Sequence, residues 1–182
     1  MAKEQRAVST TSSEVITISD KQRKGRAVNA VADLLQRRLI VPKIYLEPMG
    51  FALMDVLAVD RAGSGDIHGV HIELAPALRG LITSKLCEER LRQVALPHIM
   101  NSDFHFKYIS VEPTFVDFLS KQNLFAEDGI GRIGIIEIIE NPSALLEARI
   151  AVPAERFRVS SDKVKKFDNF QKKTPADMEI RG

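Results

Sequence analysis

The chain of 182 residues holds one cysteine, Cys87, which excludes an internal disulfide framework and any zinc-finger spacing of thiolates. A reducing compartment suits it. Cys87 falls inside a helical pattern, where a small packed side chain is the expectation rather than a nucleophile. Long hydrophobic runs are also missing, since none approaches the ~18 apolar residues of a helical membrane span. The first residues lack the apolar core of a secretory signal, and a cytoplasmic location is the expectation. Charge is balanced, with 26 Lys and Arg against 24 Asp and Glu, so the total announces no nucleic-acid partner. No Gly-x-Ser-x-Gly elbow and no Gly-Lys-Ser/Thr phosphate loop occurs. The glycines of Gly129-Ile130-Gly131-Arg132-Ile133-Gly134 precede a strand instead of opening a helix, and read as a turn and a close backbone approach.

What is present is an ordinary globular composition, 45% hydrophobic and 27% charged, in a length that suits one domain. Its basic residues cluster. Lys21, Arg23, Lys24 and Arg26 stand together, as do Lys165, Lys166, Lys172 and Lys173, and such groups can follow a phosphate backbone or be solvated ends. Residues 1–19, rich in Ser and Thr, read as a flexible arm. Residues 20–152 read as the domain and 153–182 as a basic tail of loop or short helix.

Within the domain, Ser19 or Asp20 caps a helix over Lys21–Arg38 with one apolar face, and Asp33 lies beside that face. A short strand follows within Lys43–Pro48, with Ile44 and Leu46 on one side. Phe51–Asp60 and Ile67–Leu74, joined by a Gly/Ser turn, predict antiparallel strands. A helix over Leu78–Leu96 is stopped by Pro97, with Lys85, Glu88, Glu89, Arg90 and Arg92 on a solvated face. Phe104–Val111 is a fourth strand, Thr114–Asn123 a short helix capped by Thr114, and Gly131–Glu140 a strongly apolar strand. That strand is either central or covered by a partner, with Glu137 and Glu140 on its exposed face, and Arg149–Val152 would pair as a last strand.

Acids interrupt two of these strands, Asp55 in FALM-D-VLAV and Glu73 in VHI-E-LA. A carboxylate inside a strand needs a basic side chain, backbone donors or a divalent metal. His71 shares the face of Glu73, two residues on, whereas His68 and His71 point to opposite faces. His71 with Asp55 and Glu73 would favour Mn²⁺ or Zn²⁺. His98 and His105 read as structural.

The order helix, strand, strand, strand, helix, strand, with acids in the second and third strands, resembles the PD-(D/E)XK nuclease superfamily over roughly Asp20 to Val111. The resemblance implies a three-layer α/β/α sandwich around a central mixed sheet, the restriction-endonuclease-like fold. Asp55 would be the first motif acid, with Met54 in place of proline, Glu73 the second, and Asp33 the acid some members carry on the first helix. Such a site holds Mg²⁺ or Mn²⁺ through its carboxylates and cleaves a phosphodiester of DNA. Here the motif reads Glu73-Leu74-Ala75, with alanine where the family has lysine. Three alternatives follow. The missing role is taken by His71, Lys107 or Lys85; the fold serves as an inactive DNA-binding or protein-interaction subunit in a larger complex; or the acids are surface residues. A homodimer would suit a protein acting on two strands of a duplex.

Overall fold

The computed structural model describes residues 19–40, 42–48, 54–60, 65–75, 84–143 and 145–173. The predicted N-terminal arm, the Gly/Ser turn at 61–64 and the first residues of the second predicted helix lie outside them, and Ser19 is the first residue described. Ser19 caps helix α1 (Asp20–Arg38) with a capping box, its hydroxyl accepting from the Gln22 N–H while the Gln22 side chain reaches back. Strand β1 (Lys43–Leu46) pairs antiparallel with β2 (Val56–Val59), and β2 pairs antiparallel with β3 (Ile67–Ile72), the latter as the Gly/Ser turn between them predicts.

Helix α2 (Ser84–Arg90) does not stop at Pro97. It widens into a π-turn over Leu91–Ala95 and continues as α3 (Leu96–Met100). Proline lacks an N–H and crowds the carbonyl one turn back; the wider turn removes the conflict, with the Leu96 N–H donating to the Leu91 carbonyl. Strand β4 (Phe106–Val111) runs parallel to β3. Helix α4 (Pro113–Ser120) starts one residue earlier than expected, and its N-cap position is Glu112 rather than Thr114. Strand β5 (Gly134–Glu140) lies parallel to β4 and antiparallel to β6 (Leu146–Val152). The result is an α/β fold with a six-stranded mixed sheet in the order β1-β2-β3-β4-β5-β6.

Alternation along the strands sends side chains into two cores. Ile44, Val56, Val70, Ile72, Tyr108 and Ile136 meet the apolar face of α1. Tyr45, Leu57, Ile67, Ile109 and Ile135 meet α3, α4 and the C-terminal helix α5 (Ser161–Lys173). The C-terminal segment is therefore packed into the domain rather than standing off as a tail: Phe157 and Phe167 are buried, and Phe167 and Phe170 contact the Tyr45 ring. Strand β5 lies inside the sheet, between β4 and β6, the first of the two alternatives its apolar run left open. Glu137 does not break an exposed face; it is buried and ion-paired to Arg149. Among the described residues no helix is long and apolar enough to cross a membrane.

Candidate functional site

Where β3 ends, the chain straightens into Glu73-Leu74-Ala75, and the N-terminal turns of α1 lie against it. The Arg23 guanidinium donates to the Ala75 carbonyl at 3.1 Å. Asp55 sits at the bend just before β2 and is buried, at 8% exposure, so the alternative of surface acids fails for it. Its Oδ2 accepts from the Ile72 N–H at 2.6 Å, taking the place of a ladder carbonyl at the end of β3. Its Oδ1 lies 2.7 Å from the Lys24 ammonium. Burial pushes the Asp55 carboxyl up, but the hydrogen bonds from His71, Lys24 and the Ile72 N–H, with the Lys24 charge, outweigh it and hold the pKa below the ordinary value.

His71 stands between the two acids. Its Nδ1 is 3.4 Å from Asp55 Oδ2 and its Nε2 is 3.2 Å from Glu73 Oε2. The other Glu73 oxygen pairs with Arg90 Nε at 2.7 Å. The chain of contacts therefore reads Lys24, Asp55, His71, Glu73, Arg90, alternating in sign or proton-donating capacity, and ties α1 and α2 to the ends of β2 and β3. A second staple lies beside it. Both Glu112 oxygens accept from the Ala75 N–H, at 3.1 and 3.0 Å, and one pairs with Arg23 at 3.0 Å.

These groups border a polar cleft of about 200 Å³ lined by Arg23, Lys24, Glu73 and Arg90. Behind the same strand end is an apolar cavity of about 80 Å³ lined by Leu74, Leu86, the half-buried Cys87 and Phe115.

The sequence-predicted residues are thus only partly brought together. Asp55, Glu73 and His71 meet, and Lys24 joins them from the basic cluster. Asp33 does not: it is exposed, nine residues beyond Lys24 on α1, roughly 13 Å along the axis. Lys107 does not either. It is paired in register with Gly69, four residues before Glu73, and its ammonium donates to the Met100 carbonyl at 2.6 Å and lies 4.0 Å from the Phe157 ring centroid. Lys85 is exposed on α2. Of the basic residues, Lys21 and Arg26 are exposed on α1. Lys165, Lys166 and Lys172 are exposed on α5, against the opposite face of the sheet, so the two basic clusters do not merge; Lys173 ends that helix. His68 stacks on Phe106 and His105 Nδ1 accepts from the Ile67 N–H, both structural roles. Two residues of the site are not among those the sequence predicts, Arg90, on a face expected to be solvated, and Glu112. Glu112 carries one local signal, an acid directly after a buried strand and directly before Pro113.

A hard divalent cation does not fit this arrangement. Oxygens bound to one such ion stand no more than ~5 Å apart. Here the imidazole ring separates the acids, and each acid already carries a cation of the protein. Among the described residues no three His, Cys, Asp or Glu side chains gather to hold a metal.

No protein-family model and no curated protein matches the chain. A solved structure of similar fold is the SPO1766 protein of unknown function from Silicibacter pomeroyi, 14% identical, with a TM-score of 0.51 over 84% of this chain and 86% of that one. The likeness at this identity is one of fold.

Proposed function

We propose that this chain is a nucleic-acid-binding module on a restriction-endonuclease-like scaffold, with its acid pair closed by its own bases, and that a phosphodiester backbone is the ligand of the polar cleft. The observation that carries the reading is the pairing of Lys24 with Asp55 and of Arg90 with Glu73. An acid behind each base fixes its position, while the side chains remain 44% and 65% exposed toward the cleft. Arg90 uses its Nε for Glu73, which leaves its terminal N–H groups as donors for a phosphate. Lys21 and Arg26 extend the basic rim along α1. The element order and the two acids at strand ends support the scaffold; the alanine at position 75 and the closed acids support binding over hydrolysis.

The test is fluorescence anisotropy of labelled single- and double-stranded DNA across a salt series, with a cleavage assay in Mg²⁺ and Mn²⁺ alongside. Binding should weaken with salt, Arg90→Gln should reduce the salt slope by about one, and DNA should stay intact. Absence of binding at low salt would overturn the proposal. Metal-dependent cleavage that disappears in Asp55→Ala and Glu73→Ala would replace it with an enzyme in which Lys24 stands in for the motif lysine. Contributions from α5 are measured by Lys165→Gln and Lys166→Gln rather than by truncation, because Phe167 is part of the core.

A further inference from the structure

The two edges of the sheet are built differently. Strand β1 is four residues long, is preceded by Pro42, begins with Lys43 and is followed within two residues by Pro48; short length, lysine and proline all discourage pairing with another chain. Strand β6 runs for seven residues, Leu146–Val152, without proline or lysine, and among the described residues no strand pairs with its outer side. An open edge of this length is a template for a further strand.

The side chains of β6 say which strand. Its ladder with β5 is regular from Leu146 to Ile150, and the register shifts beyond that, so Ala148 is the centre of the regular stretch. A second copy laid antiparallel about a two-fold axis at Ala148 sets Glu147 opposite Arg149 and Arg149 opposite Glu147, on the exposed face of the sheet. On the other face it sets Leu146 opposite Ile150, where both already pack against the α1 core. The small Ala148 meets itself at the axis. Leu145, 61% exposed, comes beside Ala151 of the second copy. The Arg149 guanidinium contacts Glu137 through Nε and is 67% exposed, so its terminal N–H groups remain as donors for a second partner.

We infer that β6 is a homodimer interface, in which two copies join antiparallel about Ala148 into one continuous twelve-stranded sheet with two Glu147–Arg149 cross-strand pairs. The inference does not depend on the cleft or on its ligand. A two-fold contact of this kind is isologous and closes at two copies, which suppresses the open-ended association that a bare edge invites.

Light scattering coupled to size-exclusion chromatography, run over a range of protein concentrations, tests it on the full chain. Wild type should have twice the monomer mass. Glu147→Arg places four arginines along the seam; Glu147 is exposed and its contact is with Asn141 Nδ2 in the hairpin turn, so the fold should survive, as circular dichroism checks. This variant should raise the dissociation constant at least about tenfold. Hydrogen exchange should then show amides in Leu146–Val152 losing protection while those of β3 and β4 keep theirs. A monomeric wild type at ~100 μM, or a Glu147→Arg dimer as tight as wild type, would overturn the inference. If Glu147→Arg unfolds, Glu147→Gln in the same measurement should weaken the dimer by a smaller factor, and an unchanged dimer there also overturns it.

Discussion

Replacing Asp55 by alanine distinguishes an acid that staples the fold from one kept for chemistry. In the structure the carboxylate takes the Ile72 N–H at 2.6 Å, at the end of a buried strand. Losing a charged acceptor from a buried donor costs about 1.5–3 kcal/mol. The Lys24 ion pair adds little, about 0–1 kcal/mol, because Lys24 is 44% exposed and regains water. His71 keeps Glu73. The total is about 1.5–4 kcal/mol, which in a chain of this length lowers Tm by roughly 3–15 °C. Urea denaturation should show the midpoint falling with an unchanged m-value. An acid reserved for a metal behaves in the opposite way, since its removal relieves repulsion and leaves stability equal or higher. Asp55→Ala within about 0.5 kcal/mol of wild type, or more stable, would therefore refute the stapling argument.

The pH dependence of the same variant set gives a second reading of Asp55. Its folded carboxyl lies below the ordinary 3.8, so the stability it contributes is fully present above 3.8 and is lost as pH falls through the folded value. The gap between wild type and the near-isosteric Asp55→Asn should shrink as pH falls below about 4. A gap that widens on acidification would contradict the sign.

Two further substitutions test packing away from the cleft. Burial pushes the Lys107 ammonium down to about 8, with Lys163 adding to the effect against the pull of Asp103, so relative to Lys107→Met wild type should gain stability as pH rises from 8 toward 10.5; a flat difference in thermal melts would refute it. Gly131 has φ +96°, and a Cβ there would stand 2.6 Å from Phe157 Cγ and 2.8 Å from its Cα. Gly131→Ala should cost about 2–4 kcal/mol in urea denaturation, and a cost under 1 kcal/mol would mean that the loop gives way.

The parts of the fold that could be read in advance are those whose information is local. Helix α1 announces itself through a capping residue at Ser19 and an apolar period from Ala27 to Leu35, and β5 through an apolar run too long for an edge. The position of Asp55, Glu73 and His71 near one another follows from strand pairing alone, because β2 and β3 are neighbours. What was not legible depends on which elements meet. Arg23 reaches Ala75 across 52 positions and Glu112 reaches it across 37, distances over which alternation and period carry no signal. Lys107 shows the same limit from the other side: its strand was identified, but its height along the sheet relative to Glu73 was not, and a displacement of four residues carries it out of reach.

These contacts also account for the acids without invoking chemistry at them. A strand that ends beneath two helices leaves N–H groups in a dry place, and backbone donors there need acceptors. The Ile72 N–H finds Asp55 and the Ala75 N–H finds Glu112. Each acceptor is charged, so each in turn needs a cation, and α1 supplies both, Lys24 for Asp55 and Arg23 for Glu112. Adjacent residues on one helical turn thus serve acids from two different loops, which fixes both the rotation of α1 about its axis and its position along the sheet. Glu73 repeats the pattern with Arg90 and brings in α2. The sequence feature that most resembles a catalytic pair is thereby the device that locks two helices to the end of the sheet. Under the proposed function, the bases it holds in place are the ones that would meet a phosphate.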